Sequence, residues 1–149
     1  MNDLGVEAQR LYGPLLARVM QRGRDVEHRL EAALEPQRLS LTKLLLLHQL
    51  VQAEHPIPLG ELSDLLGCAR SNITQLIDRL ESDGLVERQD DPTDRRSRLA
   101  AITPAGRARY AAGREAVAAA EGDMLAVIGA ADRGHLARLL DRFPGEAPS

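Results

Sequence analysis

GLVERQDDPTDRRSRLAAIT, residues 84–103, decides how this chain folds. Two short runs bearing apolar residues flank a turn crowded with charge. Five of the eight residues from Asp90 to Ser97 are ionisable: Asp90, Asp91, Asp94, Arg95 and Arg96. Gly84 is a natural stop for whatever precedes it, and Asp90, Asp91 and Pro92 suit turn chemistry. The pattern predicts a β-hairpin, with strands over about 85–89 and 98–102 and two adjacent arginines at or near its tip.

Upstream, Ile73, Leu76, Ile77 and Leu80 fall at i, i+3, i+4 and i+7, which predicts a helix over about 70–82 with one apolar face. Before it, Leu59, Leu62, Leu65 and Leu66 mark a shorter helix, and Gly67 is a good residue just past its end. HPIP, residues 55–58, reads as a breaker. Ser40 reads as the N-cap of LTKLLLLHQLVQ, a strongly apolar helix expected at the buried centre. Residues 4–34 carry helical periodicity through Leu4, Leu11, Leu15, Leu16, Val19, Val26, Leu30 and Leu34. Gly13-Pro14 is expected to kink or restart that helix, and Pro36 to end it.

Downstream of the hairpin, Thr103-Pro104 is a cap followed by proline at the first helical position. The Ala-rich helix that follows is expected to run to about Glu121. Asp132 is expected to cap a last helix over 133–142, and FPGEAPS to be a frayed tail.

Two short helices joined by a tight turn, the second with one apolar face, describe a helix-turn-helix. Packing that face on the domain leaves Arg70, Ser71, Asn72, Thr74, Gln75, Asp78 and Arg79 pointing away. An ordinary solvated helix would look much the same. The hairpin tips the balance, because a hairpin straight after such a helix makes a winged helix. Asn and Gln can bond an adenine edge bidentately, and Arg a guanine edge. Arg95-Arg96 on a wing would suit a narrow, negative minor groove. The expected fold is therefore mainly α with a small β-hairpin.

The bulk composition fits this reading without demanding it. The chain has 149 residues, net charge −3, and 2% aromatic residues, so its core must be aliphatic. Of 19 basic residues only Lys43 is lysine; that arginine excess reads as coding bias, and only placement argues function. Residues 59–109 hold 8 Arg and 9 Asp plus Glu, a net −1, which predicts binding by geometry more than by bulk attraction. No apolar run approaches the roughly 20 residues of a membrane span. The N-terminus lacks a signal-peptide layout, and one cysteine allows no intrachain disulfide. A cytoplasmic protein without membrane contact is expected. Phosphate-loop, Ser/His/Asp, CxxC and HExxH patterns are lacking, so no enzyme, cofactor or metal is expected.

LGELSDLLGCARSNITQLIDRLESDGLVERQDDPTDRRSRLAAITPAGRARY, residues 59–110, resembles the winged helix of the MarR family of bacterial transcriptional regulators. The matching pieces are LIDRLESDGLVER, DPTDRR and ITPAGR, and the resemblance is strong over about 40–110. It implies one domain over 1–149. In that domain a winged helix-turn-helix at about 40–104 is flanked by N- and C-terminal dimerisation helices at about 4–34 and 104–143. It also implies a homodimer on a pseudopalindromic operator in double-stranded DNA, with repression as the family default. By position, Ser71, Asn72, Thr74 and Gln75 become groove readers. Arg70 and Arg79 become phosphate or base contacts, and Arg95 the minor-groove arginine. Asp94 and Arg96 become a supporting salt bridge within the wing, beside Ser97. Ala69 stands where the family usually has a hydroxyl cap, so Ser71 is an alternative cap.

The family commonly senses a signal. Cys68, just before the reading helix, is the redox candidate, since a helix N-terminus lowers a thiol pKa; a small residue filling the turn is the plainer reading. His28 with Glu31, or His48, resembles the zinc-binding positions of some relatives, but no pair has ligand spacing. A small-molecule effector pocket would be lined by residues from about 11 to 50, with Tyr12 its one aromatic. The rival to a DNA reader is a winged-helix protein-interaction module without DNA binding, which the net acidic winged-helix region keeps open.

Overall fold

The computed structural model describes residues 3–145. Gly13, at φ 84, separates α1 (Asp3–Tyr12) from α2 (Pro14–Leu34), and Pro14 opens the second helix. Proline lacks the N–H that a first helical position cannot use, so it restarts the helix cleanly there. A short 3-10 turn, Glu35–Gln37, ends α2 at Pro36 as expected.

Ser40 caps α3 (Leu41–Ala53): its side chain accepts the Lys43 N–H at 3.2 Å. Glu31 reaches back to the same helix end, its Oε1 accepting the Leu41 N–H at 3.1 Å. Leu44, Leu46, Leu47 and Leu50 are buried, so α3 does form the centre of the core. Leu45 is the exception, since four consecutive leucines cannot all face one side of a helix, and it is exposed.

The four residues HPIP do more than break the chain. Ile57–Pro58 form β1, which pairs antiparallel with β3 (Arg98–Ile102) through Ile57↔Ala100 and Pro58↔Leu99. The sheet therefore has three strands in the order β1-β3-β2, with β2 at Val86–Asp90. Proline is tolerated because β1 is an edge strand, and Ile57 earns its place by burial. The hairpin register runs from Val86↔Ile102 to Asp90↔Arg98.

Helices α4 (Leu59–Leu66) and α5 (Arg70–Ser82) follow the predicted spans. Ile73, Ile77 and Leu80 of α5 are buried with Leu62 of α4. Each fully buried aliphatic side chain contributes on the order of 1.5–3 kcal/mol, so this stripe fixes which face of α5 is left outside.

Thr103 caps α6 (Pro104–Leu125), accepting the Gly106 N–H at 3.0 Å. The helix runs one turn past the expected end, because Gly122 is accommodated within it. Gly106 lies against the Leu85 carbonyl, and a Cβ at Gly113 would stand 2.8 Å from Leu39 and 2.9 Å from Leu44. These two glycines let α6 close onto the wing and onto α3. The last helix, α7, spans Ala130–Leu140 and begins earlier than expected. Gly129 is its N-cap, and Asp132 sits inside the first turn, where its charge suits the helix dipole. Of the expected frayed tail, residues 146–149 lie outside the described residues.

Candidate nucleic-acid interface

The turn between α4 and α5 is built by backbone geometry and one serine. Gly67 adopts the left-handed conformation at φ 60 and donates its N–H to Asp64 O at 3.2 Å. Buried Ser63 donates its hydroxyl to the Cys68 carbonyl at 2.6 Å, and the Cys68 N–H returns to Ser63 O at 3.0 Å. The Cys68 thiol points to the Leu66 carbonyl at 3.4 Å and packs, half-buried, against the core.

Helix α5 then starts at Arg70, with Ala69 as an N-cap that supplies no side-chain hydrogen bond. Ser71 lies inside the first turn and is not the cap, because the extended backbone of Ala69 already turns the chain and its carbonyl accepts the Asn72 and Ile73 N–H groups. Arg70, Ser71, Asn72, Thr74, Gln75, Asp78 and Arg79 are all exposed. They do not share one environment. Arg70 folds its guanidinium back over Gly60. With Leu59, Gly60, Thr74, Asp94, Arg96, Ser97 and Arg98 it lines a cleft of about 360 Å³ between α5 and the wing. The Thr74 hydroxyl donates to the Arg70 carbonyl at 3.0 Å. On the other flank, Asn72, Gln75 and Arg79 line a groove of about 270 Å³ with Ser40, Thr42 and Cys68.

The wing tip is an ordered turn held by its aspartates. Asp91 Oδ1 accepts the Thr93 N–H at 2.9 Å and its hydroxyl at 2.7 Å. Those hydrogen bonds, the hydroxyl's foremost, hold the Asp91 carboxyl below the usual aspartate range. Asp94 Oδ1 accepts the backbone N–H of Arg96 at 2.9 Å, and its carbonyl accepts the Ser97 N–H at 3.0 Å. The expected Asp94–Arg96 salt bridge is therefore a side-chain to main-chain bond. An Asx turn satisfies the carboxylate without its neighbour's guanidinium. The ion pair of the wing is instead Arg98–Asp90, across the last rung of the hairpin. Arg95 and Arg96 are exposed at the tip.

One group central to the site was not singled out in the sequence. Arg88, on β2, donates through Nη1 to Glu81 Oε2 at 2.6 Å and through Nη2 to Asp78. Its backbone N–H bonds Glu81 Oε1 at 3.1 Å. Partial burial opposes its charge, but the hydrogen bonds and negative charge of Asp78 and Glu81 outweigh that and raise its pKa above the ordinary arginine value. The available signal was Asp78 and Glu81 three residues apart on a helix that leads directly into a strand bearing one arginine.

The proposed histidine roles resolve differently. His48 Nδ1 lies 2.7 Å from the Tyr110 hydroxyl, joining α3 to α6. Glu31 is taken up by the α3 N-terminus. Among the described residues no three His, Cys, Asp or Glu side chains gather as a metal site.

A helix-turn-helix with a hairpin wing and this polar face has matches among known proteins, and residues 39–97 match the MarR family. Over those residues the winged helix is similar to that of MarR-family proteins. A putative transcriptional regulatory protein for the hcr operon of Thauera aromatica is 38% identical over 74 residues. That alignment spans 50% of this chain and 45% of the relative. CouR from Rhodococcus jostii RHA1, solved with p-coumaroyl-CoA, is 26% identical with a TM-score of 0.69, covering 90% of this chain and 95% of that one. A cysteine-to-serine mutant of MarR from E. coli, complexed with operator DNA, is 23% identical with a TM-score of 0.75, covering 92% and 98%; at that identity the likeness is one of fold. The matched region, residues 39–97, includes both flanks of α5 and the wing up to Ser97. None of the described helices is long and apolar enough to cross a membrane.

Proposed function

We propose that this chain is a sequence-specific, DNA-binding transcriptional regulator that acts as a cytoplasmic homodimer, with repression as its mode. One observation carries the reading: the exposed N-terminal half of α5 presents short hydrogen-bonding side chains beside an ordered wing that ends in Arg95 and Arg96. Ser71, Asn72, Thr74 and Gln75 read base edges in the major groove, and Arg79 and Arg70 hold phosphate or base. Arg95 enters the adjacent minor groove. Asp94 shapes the turn that carries it, with Arg96 and Ser97 beside it.

The winged helix occupies about 40–104 of a single domain, and the flanking helices dimerise. Support comes from the apolar side chains that α1, α2, α7 and the segment just after α7 leave in solvent. Leu11 is 74% and Leu15 67% exposed, and Val19, Met20, Leu139 and Phe143 join them. That much exposed apolar surface on a monomer marks an interface. Two copies set two half-sites about one helical turn, roughly 10 bp, apart.

A small-molecule effector releases the dimer from its operator. The likeness to CouR makes aromatic acyl-coenzyme A thioesters the first class to assay. Cys68 remains the redox candidate.

A protein-interaction module is the second reading, kept open by the net −1 of residues 59–109. Fluorescence anisotropy with duplexes selected from random sequence, over a salt series, separates the two. A regulator binds selected duplexes with affinity that falls steeply as salt rises. Failure to enrich any duplex at low salt would reject DNA reading.

A further inference from the structure

A wing and a reading helix can address two grooves together only if the angle between them is fixed. The β2–β3 hairpin cannot fix it alone, since a two-stranded hairpin is marginal in water, and β1 braces β3 only at Leu99 and Ala100. Among the described residues, the hydrogen bonds between α5 and β2 all run through Arg88. Its guanidinium meets the Thr74 carbonyl at 3.4 Å, the Glu81 carboxylate at 2.6 Å and the Asp78 carboxylate. Residues 74, 78 and 81 lie at i, i+4 and i+7, so one side chain grips two turns of the helix along a single stripe. The planar fork of arginine suits such a grip, where the point charge of lysine does not.

We propose that Arg88 is a positioning residue for DNA recognition. It sets the width of the cleft between α5 and the wing, and hence where Arg95 falls relative to Thr74 and Gln75. It also offsets one of the two negative charges of Asp78 and Glu81 and holds both carboxylates against the hairpin. At 24% side-chain exposure and with its fork engaged, it acts through the helix and the wing without touching DNA.

The proposal rests on the DNA-reading function but is tested apart from it. Hydrogen exchange of the free protein comes first. Arg88→Gln should speed amide exchange across residues 86–102 while melting stays cooperative; unchanged exchange there overturns the proposal, whatever the protein binds. A double-mutant cycle on a selected duplex follows, with Arg95→Ala as the second change. If Arg88 places Arg95, the loss caused by Arg95→Ala should shrink by about 5-fold or more in the Arg88→Gln background, in the range usual for coupled residues. Strictly multiplying losses overturn the proposal. Should Arg88→Gln fail to fold, Asp78→Asn and Glu81→Gln each remove one prong, and the same cycle is run with them. Wild-type protein that binds no duplex would reject the regulator reading, while the exchange result would still decide the grip.

Discussion

Replacing Gly106 with alanine should destabilise the protein, although the same change usually stabilises a helix. Alanine is favoured over glycine by about 1 kcal/mol in a helix interior. At position 106 the added methyl would be driven into the Leu85 backbone carbonyl and to 2.8 Å from Ile102 Cγ1. That carbonyl also accepts the Thr103 N–H at 3.1 Å, so it cannot swing aside without losing a hydrogen bond at the start of α6. Overpacking of this kind costs about 1–3 kcal/mol, and the lost or bent hydrogen bond adds about 1 kcal/mol. Setting the propensity gain against both leaves a net loss of about 1–3 kcal/mol. For a chain of this length that lowers the midpoint by roughly 3–10 °C. Thermal and urea melts followed by circular dichroism, at one fixed protomer concentration, would read it. An unchanged or raised midpoint would mean that α6 has slack at its first turn. The tight junction between hairpin and helix would then be wrong.

Four further outcomes are expected. Arg95→Ala should weaken binding mainly to sites with A·T-rich flanks, by anisotropy on matched duplexes; equal loss on G·C-rich flanks would argue against minor-groove insertion. Gln75→Ala should relax base preference at one position in each half-site, at about 1–3 kcal/mol there, scored by binding to every single-base variant of the operator. The Asp91 carboxyl is held below its ordinary value, so the order it gives the wing tip is full above about pH 4 and is lost as pH falls through the depressed pKa. The Thr93 amide shift should follow that midpoint, and a midpoint at or above about 3.9 would contradict it. Cys68→Ser should leave affinity without peroxide near wild type, and if Cys68 is the redox sensor it should abolish any loss of binding under peroxide; persisting sensitivity would end that role.

The elements most legible in the sequence were those whose signal is local. Ser40 and Thr103 announce caps because a hydroxyl satisfies an N–H three residues on. Ile73, Ile77 and Leu80 repeat at helical spacing because one face is buried. What escaped depends on partners distant in sequence. Ile57–Pro58 becomes a strand only because β3 passes beside it. A two-residue strand has no periodicity, and Pro58 masks it. Asp94 and Arg96 are opposite charges two residues apart, which suggests a salt bridge, yet a short acidic side chain more readily bonds the backbone two residues on. Arg88 carries no local signal, since its partners lie 7 and 10 residues upstream on another element.

That last case bears on how the net acidic charge of the winged helix should be read. Nine carboxylates against eight arginines in residues 59–109 looks hostile to a polyanion. The count treats every charge as available, and the fold does not. Asp78 and Glu81 are held by Arg88, Asp90 is paired with Arg98, and Asp83 lies 3.2 Å from Lys43. Asp91 and Asp94 accept hydrogen bonds within the wing turn. Those contacts occupy six of the nine carboxylates while engaging two of the eight arginines. Arg70, Arg79, Arg95 and Arg96 remain exposed on the flanks of α5 and at the wing tip. The field met by an approaching duplex is therefore set by where charges are held as well as by their sum. Breaking the Arg88 grip removes one positive charge and releases two carboxylates beside the groove readers. The salt dependence of the Arg88→Gln variant should accordingly be shallower than that of the wild type.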